Sequence, residues 1–159
     1  SDLIEWLREN TEMEVGAACY PENHPESPDS EDDLKWTAHK VEVGASFLIT
    51  QIFFDNARYF GFVERLREAG VKVPIVPGIM PITNVSQIER FTKMCGATIP
   101  EELAERLHAV ADDPAVVMAT GIEHAITQCR ELLEKGAPGL HFYTLNLARP
   151  AQAVLSKLS

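Results

Sequence analysis

The sequence has no CxxC pair, no concentration of basic residues and no apolar run near the roughly 20 residues that a membrane-spanning helix needs. Its three cysteines, Cys19, Cys95 and Cys129, are odd in number and lie in apolar or helical surroundings. That usage argues against a disulfide framework and predicts buried thiols in a reducing compartment. Basic residues number 14 against 24 acidic ones, a formal charge of −10, so phosphate backbones and anionic lipid surfaces are repelled. Neither a nucleic acid nor a membrane is an expected partner. The N-terminal residues Ser1-Asp2-Leu3-Ile4-Glu5-Trp6-Leu7-Arg8 lack the basic-then-apolar plan of a signal peptide, and the expected location is the cytoplasm. The chain opens on Ser1 inside a helical pattern with Leu3, Ile4 and Leu7 on one face. A piece of a longer protein is expected.

What is present suits one compact unit, because 159 residues at 45% hydrophobic content can enclose a sizeable core. Glu14 to Cys19 is a short apolar run of the kind buried in a parallel sheet. Ser30 with Asp33 has capping-box spacing, and Leu34, Thr37, Ala38, Val41 and Ala45 follow at helical intervals. Phe47 to Phe54 is the strongest strand pattern, interrupted by Gln51. Asp55 then caps a helix using Tyr59, Phe62, Val63 and Leu66, which Gly70 stops. Val73 to Pro81 reads as a strand despite three prolines. Asn84 and Gln87 again have capping-box spacing before the stripe Val85, Ile88, Phe91 and Met94, ended by Gly96. Pro100 opens another helix, and Asp113-Pro114 starts a longer one burying Val117, Ile122, Ala125, Ile126, Cys129 and Leu133. Gly139 to Leu145 is the last strand, followed by a helix through Val154 and Leu158. Strand-then-helix units in this number predict an α/β fold with a parallel sheet, either part of a (β/α) barrel or a small open sheet.

Where the first strand hands over to a helix stands Tyr20-Pro21-Glu22-Asn23-His24-Pro25-Glu26, and such handover points are where α/β proteins place ligand chemistry. Glu22, His24 and Glu26 carry metal-ligating groups, but the intervening prolines oppose a helical site and no second His or Cys cluster accompanies them. No metal is assigned. Gln51 is an amide inside an apolar strand, and a polar group so placed needs a partner or costs about 1 to 3 kcal/mol.

The Tyr20 to Glu26 stretch, Ile49-Thr50-Gln51-Ile52-Phe53-Phe54-Asp55, Pro77-Gly78-Ile79-Met80-Pro81 and His141-Phe142-Tyr143-Thr144-Leu145-Asn146 resemble, in order and spacing, the methylenetetrahydrofolate reductase family. The resemblance implies strands 5 to 8 of a flavin-dependent (β/α)8 (TIM) barrel, residues 1–159 forming its C-terminal half without an internal domain boundary. It implies FAD as cofactor, NADH or NADPH as co-substrate, and conversion of 5,10-methylenetetrahydrofolate to 5-methyltetrahydrofolate by ping-pong hydride transfer. By motif match, Tyr20, His24, Asp33, Trp36, His39 and Lys40 are implied FAD contacts. Gln51, Gln87 and Phe91 are implied folate contacts, the amides for the pterin edge and the ring for stacking.

The residues read alone leave alternatives open. Lys40 is by default a solvated charge, Gln87 a helix-capping side chain, Phe91 a core residue and Tyr20 a packing residue. Leu147 stands where many family members carry an arginine after Thr-Leu-Asn, with Arg149 two residues on, and Trp36 and His39 stand where some have Asn and Arg. The family's acidic proton donor and the aspartate beside its flavin belong to the other half of the barrel, so no catalytic acid is named. Competing readings are a non-catalytic half-barrel that pairs with a partner or itself through its edge strands, and a metal-dependent barrel hydrolase. A homo-oligomer is expected.

Overall fold

The computed structural model describes residues 1–158. Four strands, β1 (Gly16–Cys19), β2 (Phe47–Ile52), β3 (Ile75–Ile79) and β4 (His141–Phe142), form one sheet in the order β1-β2-β3-β4. All three pairings are parallel. Helices α1 (Asp2–Asn10), α2 (Ser30–Glu42), α3 (Asn56–Glu68), α4 (Val85–Cys95), α5 (Glu101–His108), α6 (Pro114–Glu134) and α7 (Ala148–Leu155) precede or connect them. The expected α/β class and the extra helices in the third unit are found.

The sheet has unequal faces. Side chains alternate along a strand, and Cys19, Leu48, Ile75 and Ile79 join Phe62, Leu66, Cys129 and Leu132 in a core between sheet and helices. Residues of the other parity face away. Ala18 is exposed, Ile49 and Val76 are half-buried, and the Phe47 ring lies against Gly16, where a Cβ would come within 2.5 Å of it. A second core, of Ile52, Phe54, Ile82, Ile88, Leu103, Leu107 and Val117, fills the space under α4, α5 and α6. Gly121 lets α6 run directly over the β3–α4 loop, since a Cβ there would stand 2.0 Å from the Ile82 carbonyl oxygen.

Most helix signals act as expected. The Asp55, Asn84 and Asp113 side chains accept from the first-turn amides of α3, α4 and α6, and Gly96 closes α4 in the left-handed conformation at φ 73°. Several boundaries differ. Asp29, not Ser30, caps α2 by accepting from the Asp32 amide, and the Ser30–Asp33 capping box does not form because the Asp33 carboxylate turns to the loop at His24. The strand predicted to reach Phe54 ends at Ile52. Beyond it the Phe53 and Phe54 carbonyls meet the side chains of Gln128 (2.9 Å) and His124 (3.1 Å) on α6 rather than a neighbouring strand.

The run predicted over 73–81 pairs only over Ile75–Ile79, with Pro77 inside it. Pro74 and Gly78 bond to β2 while Ile79 accepts from Tyr143, so by alternation the missing N–H of Pro77 faces β4, which begins only at His141. The last strand, predicted over 139–145, is paired only at His141–Phe142. On α6 the buried face runs Val117, Gly121, Ala125, Gln128, Cys129 and Leu132, and Leu133, predicted buried, is 41% exposed. Among the described residues no helix is long and apolar enough to cross a membrane.

Candidate functional site

The loop after β1 is held from three sides. Asn23 takes a positive φ of 80°, closing a turn in which its N–H donates to the Tyr20 carbonyl at 3.3 Å. The His24 N–H donates to Asp33 Oδ2 at 3.2 Å, and Glu26 N–H donates to His24 Nδ1 at 3.1 Å. Glu22 Oε1 accepts from the Thr98 amide at 3.1 Å, tying the loop to the α4–α5 connection. Tyr20 and His24 pack edge to face with centroids 4.6 Å apart. Glu22 is thus engaged with a backbone amide, and no trio of His, Cys, Asp or Glu among the described residues is arranged to hold a metal.

At the end of β2 the register with β3 shifts between Ile49 and Ile52. Thr50 Oγ1 accepts from the Gly78 amide at 2.8 Å in place of a backbone group, and the irregularity carries Gln51 to the mouth of the sheet. Gln51 Oε1 accepts from the Ile52 amide at 2.9 Å. Burial raises the Tyr20 phenol above its ordinary value, and hydrogen bonding with the Gln51 side chain acts in the opposite sense. A strand amide of this kind can then present a donor and an acceptor to a ligand edge.

A cleft of about 440 Å³ opens at these strand ends, lined by Tyr20, His24, Gln51, Met80, Phe91 and Met94 among others. Gln87 lies on a narrow adjoining crevice that shares Met80 and includes Tyr143 and Leu147. The capping reading of Gln87 is corrected: Asn84 Oδ1 accepts the Gln87 N–H at 2.8 Å, while the Gln87 side chain lines the crevice. Phe91 belongs to both readings, being packed against the second core and on the cleft wall.

The six residues matched to cofactor contacts fall in four places. Tyr20 and His24 line the cleft. Asp33 is buried behind them and orders the loop. Lys40 Nζ donates to the Ala18 carbonyl at 2.9 Å. The Val15 carbonyl pairs with β2 through Ser46, so by alternation the Ala18 carbonyl belongs to the open edge of β1. Trp36 and His39 lie apart, with Asp32 and Lys35, along a shallow surface groove of about 360 Å³. Trp36 is 53% exposed and packs edge to face on His39.

Sequence reasoning did not place Met80, Met94 or Cys95 on the cleft. Met94 follows Phe91 by one helical turn, which was a usable signal. Cys95 carried none, and burial raises its thiol above the ordinary value.

A family model described as methylenetetrahydrofolate reductase matches residues 1–159. A probable methylenetetrahydrofolate reductase (NADPH) of Caenorhabditis elegans is 38% identical over 99% of this chain, which spans 24% of that protein. The 5,10-methylenetetrahydrofolate reductase of Escherichia coli K12 is 36% identical over 99% of this chain and 53% of its own length. The chain therefore spans from about a quarter to about half of these relatives. Among solved structures, a Clostridium thermocellum protein said to bind two copies of 5-methyl-5,6,7,8-tetrahydrofolic acid superposes with a TM-score of 0.59 at 18% identity, covering 97% of this chain and 56% of that one. That likeness speaks for the fold alone. Matched by the family model over its whole length, the chain belongs to the methylenetetrahydrofolate reductase family.

Proposed function

We propose that this chain is the C-terminal half of the catalytic (β/α)8 barrel of a reductase that converts 5,10-methylenetetrahydrofolate to 5-methyltetrahydrofolate. The observation that carries the reading is the meeting of Tyr20, His24, Gln51 and Phe91 around one cleft at the C-terminal ends of parallel strands, where such folds bind ligands. Gln51 and Gln87 hold the pterin edge, and Phe91 stacks on the substrate or on the nicotinamide donor, NADH or NADPH. Both ligands use this one cleft in turn, in ping-pong order.

The residues present fit FAD. Lys40 uses one of its ammonium hydrogens on Ala18 and has two left for anionic oxygens. Tyr20 and His24 offer a rigid aromatic pair, and Asp33 fixes the loop that carries them. FAD held there would supply hydride transfer between the nicotinamide and the folate. Tyr20, His24, Asp33 and Lys40 hold and orient it, with Trp36 and His39 at its outer reach. The bare face of the sheet, with Ala18 exposed and Ile49 and Val76 half-buried, supports a half-barrel that a further set of strands completes.

A visible spectrum of the full-length protein tests the reading. Flavin bands should bleach with NADH or NADPH and return on addition of methylenetetrahydrofolate. A colourless protein carrying stoichiometric metal overturns it in favour of a metal-dependent hydrolase. The open edge of β1 also favours a second reading, that the unit pairs with itself. Sedimentation of the isolated chain separates monomer from dimer.

A further inference from the structure

Between Ala125 and Cys129 on the buried face of α6 stands Gln128, an amide that is 5% exposed. Such a group is tolerated in an apolar face when its hydrogen bonds are made. Gln128 Nε2 donates to the Phe53 carbonyl at 2.9 Å, and one turn earlier His124 Nε2 meets the Phe54 carbonyl at 3.1 Å. Asn56 Nδ2, at the start of α3, donates to the Gln128 carbonyl at 3.1 Å and to Glu131 Oε2 at 2.7 Å. Four side-chain bonds thus fasten the junction of β2 and α3 to about two turns of α6. Gln128, His124 and Asn56 line a hollow between α3 and α6, apart from the cleft.

What they hold is the segment that carries Gln51. β2 ends at Ile52, whose amide donates to Gln51 Oε1 at 2.9 Å, and the next residue, Phe53, is the one that Gln128 grips. The Phe53 and Phe54 side chains are buried in separate cores and fix where the segment lies. The carbonyl bonds fix the tilt of its peptide planes, and with it the aim of the Gln51 side chain. Because the register with β3 shifts between Ile49 and Ile52, the strand ladder alone does not set that aim. Resting on the function proposed above, we infer that Gln128, assisted by His124, is a positioning residue for folate binding: it acts through Gln51 and touches neither folate nor flavin.

The test uses flavin-loaded full-length enzyme with methylenetetrahydrofolate as substrate. Gln128→Met keeps the unbranched stem and removes the donor. It should raise the folate KM about five-fold, with kcat and the flavin dissociation constant unchanged. Combined with Gln51→Ala it should add less than about two-fold, because both substitutions remove one effect. Cys129→Ala opens space in the core beside Gln128 and leaves all four bonds in place, so it should lower Tm without changing KM. An unchanged KM in Gln128→Met overturns the inference, as does a full rise in the Gln51→Ala background or an equal rise in Cys129→Ala. If Gln128→Met does not fold, His124 decides the matter. His124→Leu should raise KM and His124→Gln, which keeps a donor, should not; equal values overturn the inference. If the wild-type enzyme does not turn over methylenetetrahydrofolate, the functional reading itself fails and the inference falls with it.

Discussion

The phenolic oxygen of Tyr143 donates a hydrogen bond to the main-chain carbonyl of Thr50 at 3.1 Å. The bond crosses β3, and the Tyr143 ring lies where a Cβ on Gly78 would come within 2.6 Å of it. The Thr50 hydroxyl meanwhile accepts from the Gly78 amide. Three strands are thereby fastened at one level, beside the register shift that delivers Gln51 to the cleft. Burial raises the Tyr143 phenol above its ordinary value, which keeps the donor protonated at any physiological pH.

Tyr143→Phe removes that donor and keeps the ring. The Thr50 carbonyl should lose its partner at a cost of about 1 kcal/mol, lowering Tm by about 3 °C for a chain of this size. Because Gln51 follows Thr50, KM for the folate should rise while flavin content stays constant. Thermal unfolding and a flavin titration measure the two halves. Unchanged Tm and KM would mean that water replaces the phenol and that the cross-strand bond positions nothing.

Gly121 and Gly61 make a matched pair of helical glycines. Alanine in a helix interior is favoured over glycine by about 1 kcal/mol, so Gly61→Ala, with nothing within 4 Å of the new Cβ, should stabilise. Gly121→Ala instead drives a methyl to 2.0 Å from the Ile82 carbonyl oxygen. It should destabilise by more than about 2 kcal/mol as α6 is pushed off the β3–α4 loop. Urea unfolding of both variants decides the matter by sign alone, and a stabilising Gly121→Ala would contradict the close approach.

The parts of this structure that were legible in the sequence are those fixed by local chemistry. The Asp55, Asn84 and Asp113 caps and the Gly96 stop act through atoms one to four residues away. Gln51 was readable because an amide inside an apolar strand needs a partner, whereas Tyr20 and His24 were singled out by their place at the strand-to-helix handover and by motif match. The illegible parts depend on distant elements. Phe53 and Phe54 extend an apolar run past the end of β2 because α6 supplies Gln128 and His124 to their carbonyls, and no strand pattern encodes that. Leu132 rather than Leu133 is buried because the face of α6 is set by Val117, Gly121 and Ala125 over several turns. Capping-box spacing alone could not tell whether Asp33 would turn to its own helix or to His24.

The stability of the chain should depend on pH through His124. Burial lowers its pKa from the ordinary value of 6.5, more than the hydrogen bond to the Phe54 carbonyl raises it. The unfolded chain therefore binds the proton more readily than the folded one, and stability increases with pH where that difference exists. The contribution is fully present above pH 6.5 and is lost as the solution is acidified below it. His124→Gln keeps a donor for the Phe54 carbonyl and removes the titration. Its unfolding free energy should fall less than that of the wild type between pH 7 and about pH 5. Parallel pH profiles for the two proteins would show that His124 does not carry the dependence.

The proposed cofactor and substrate contacts should separate by mutation, because they come from different elements. Lys40 reaches the open edge of β1 from α2, and His24 is held by Asp33 on the same helix, whereas Gln51 comes from β2 with its oxygen on the Ile52 amide. His24→Ala and Lys40→Ala in the full-length enzyme should each loosen FAD, read as an increased flavin dissociation constant. Lys40→Ala and Lys40→Met both leave the Ala18 carbonyl without its donor, but Lys40→Met keeps the apolar stem and so distinguishes lost charge from lost packing. Gln51→Ala should retain FAD and raise the folate KM about ten-fold, the value of one to two hydrogen bonds to the pterin edge. If Gln51→Ala loses flavin as readily as Lys40→Ala, the two ligand positions are not distinct. If it leaves folate kinetics unchanged, Gln51 belongs to the β2 bulge rather than to the substrate site.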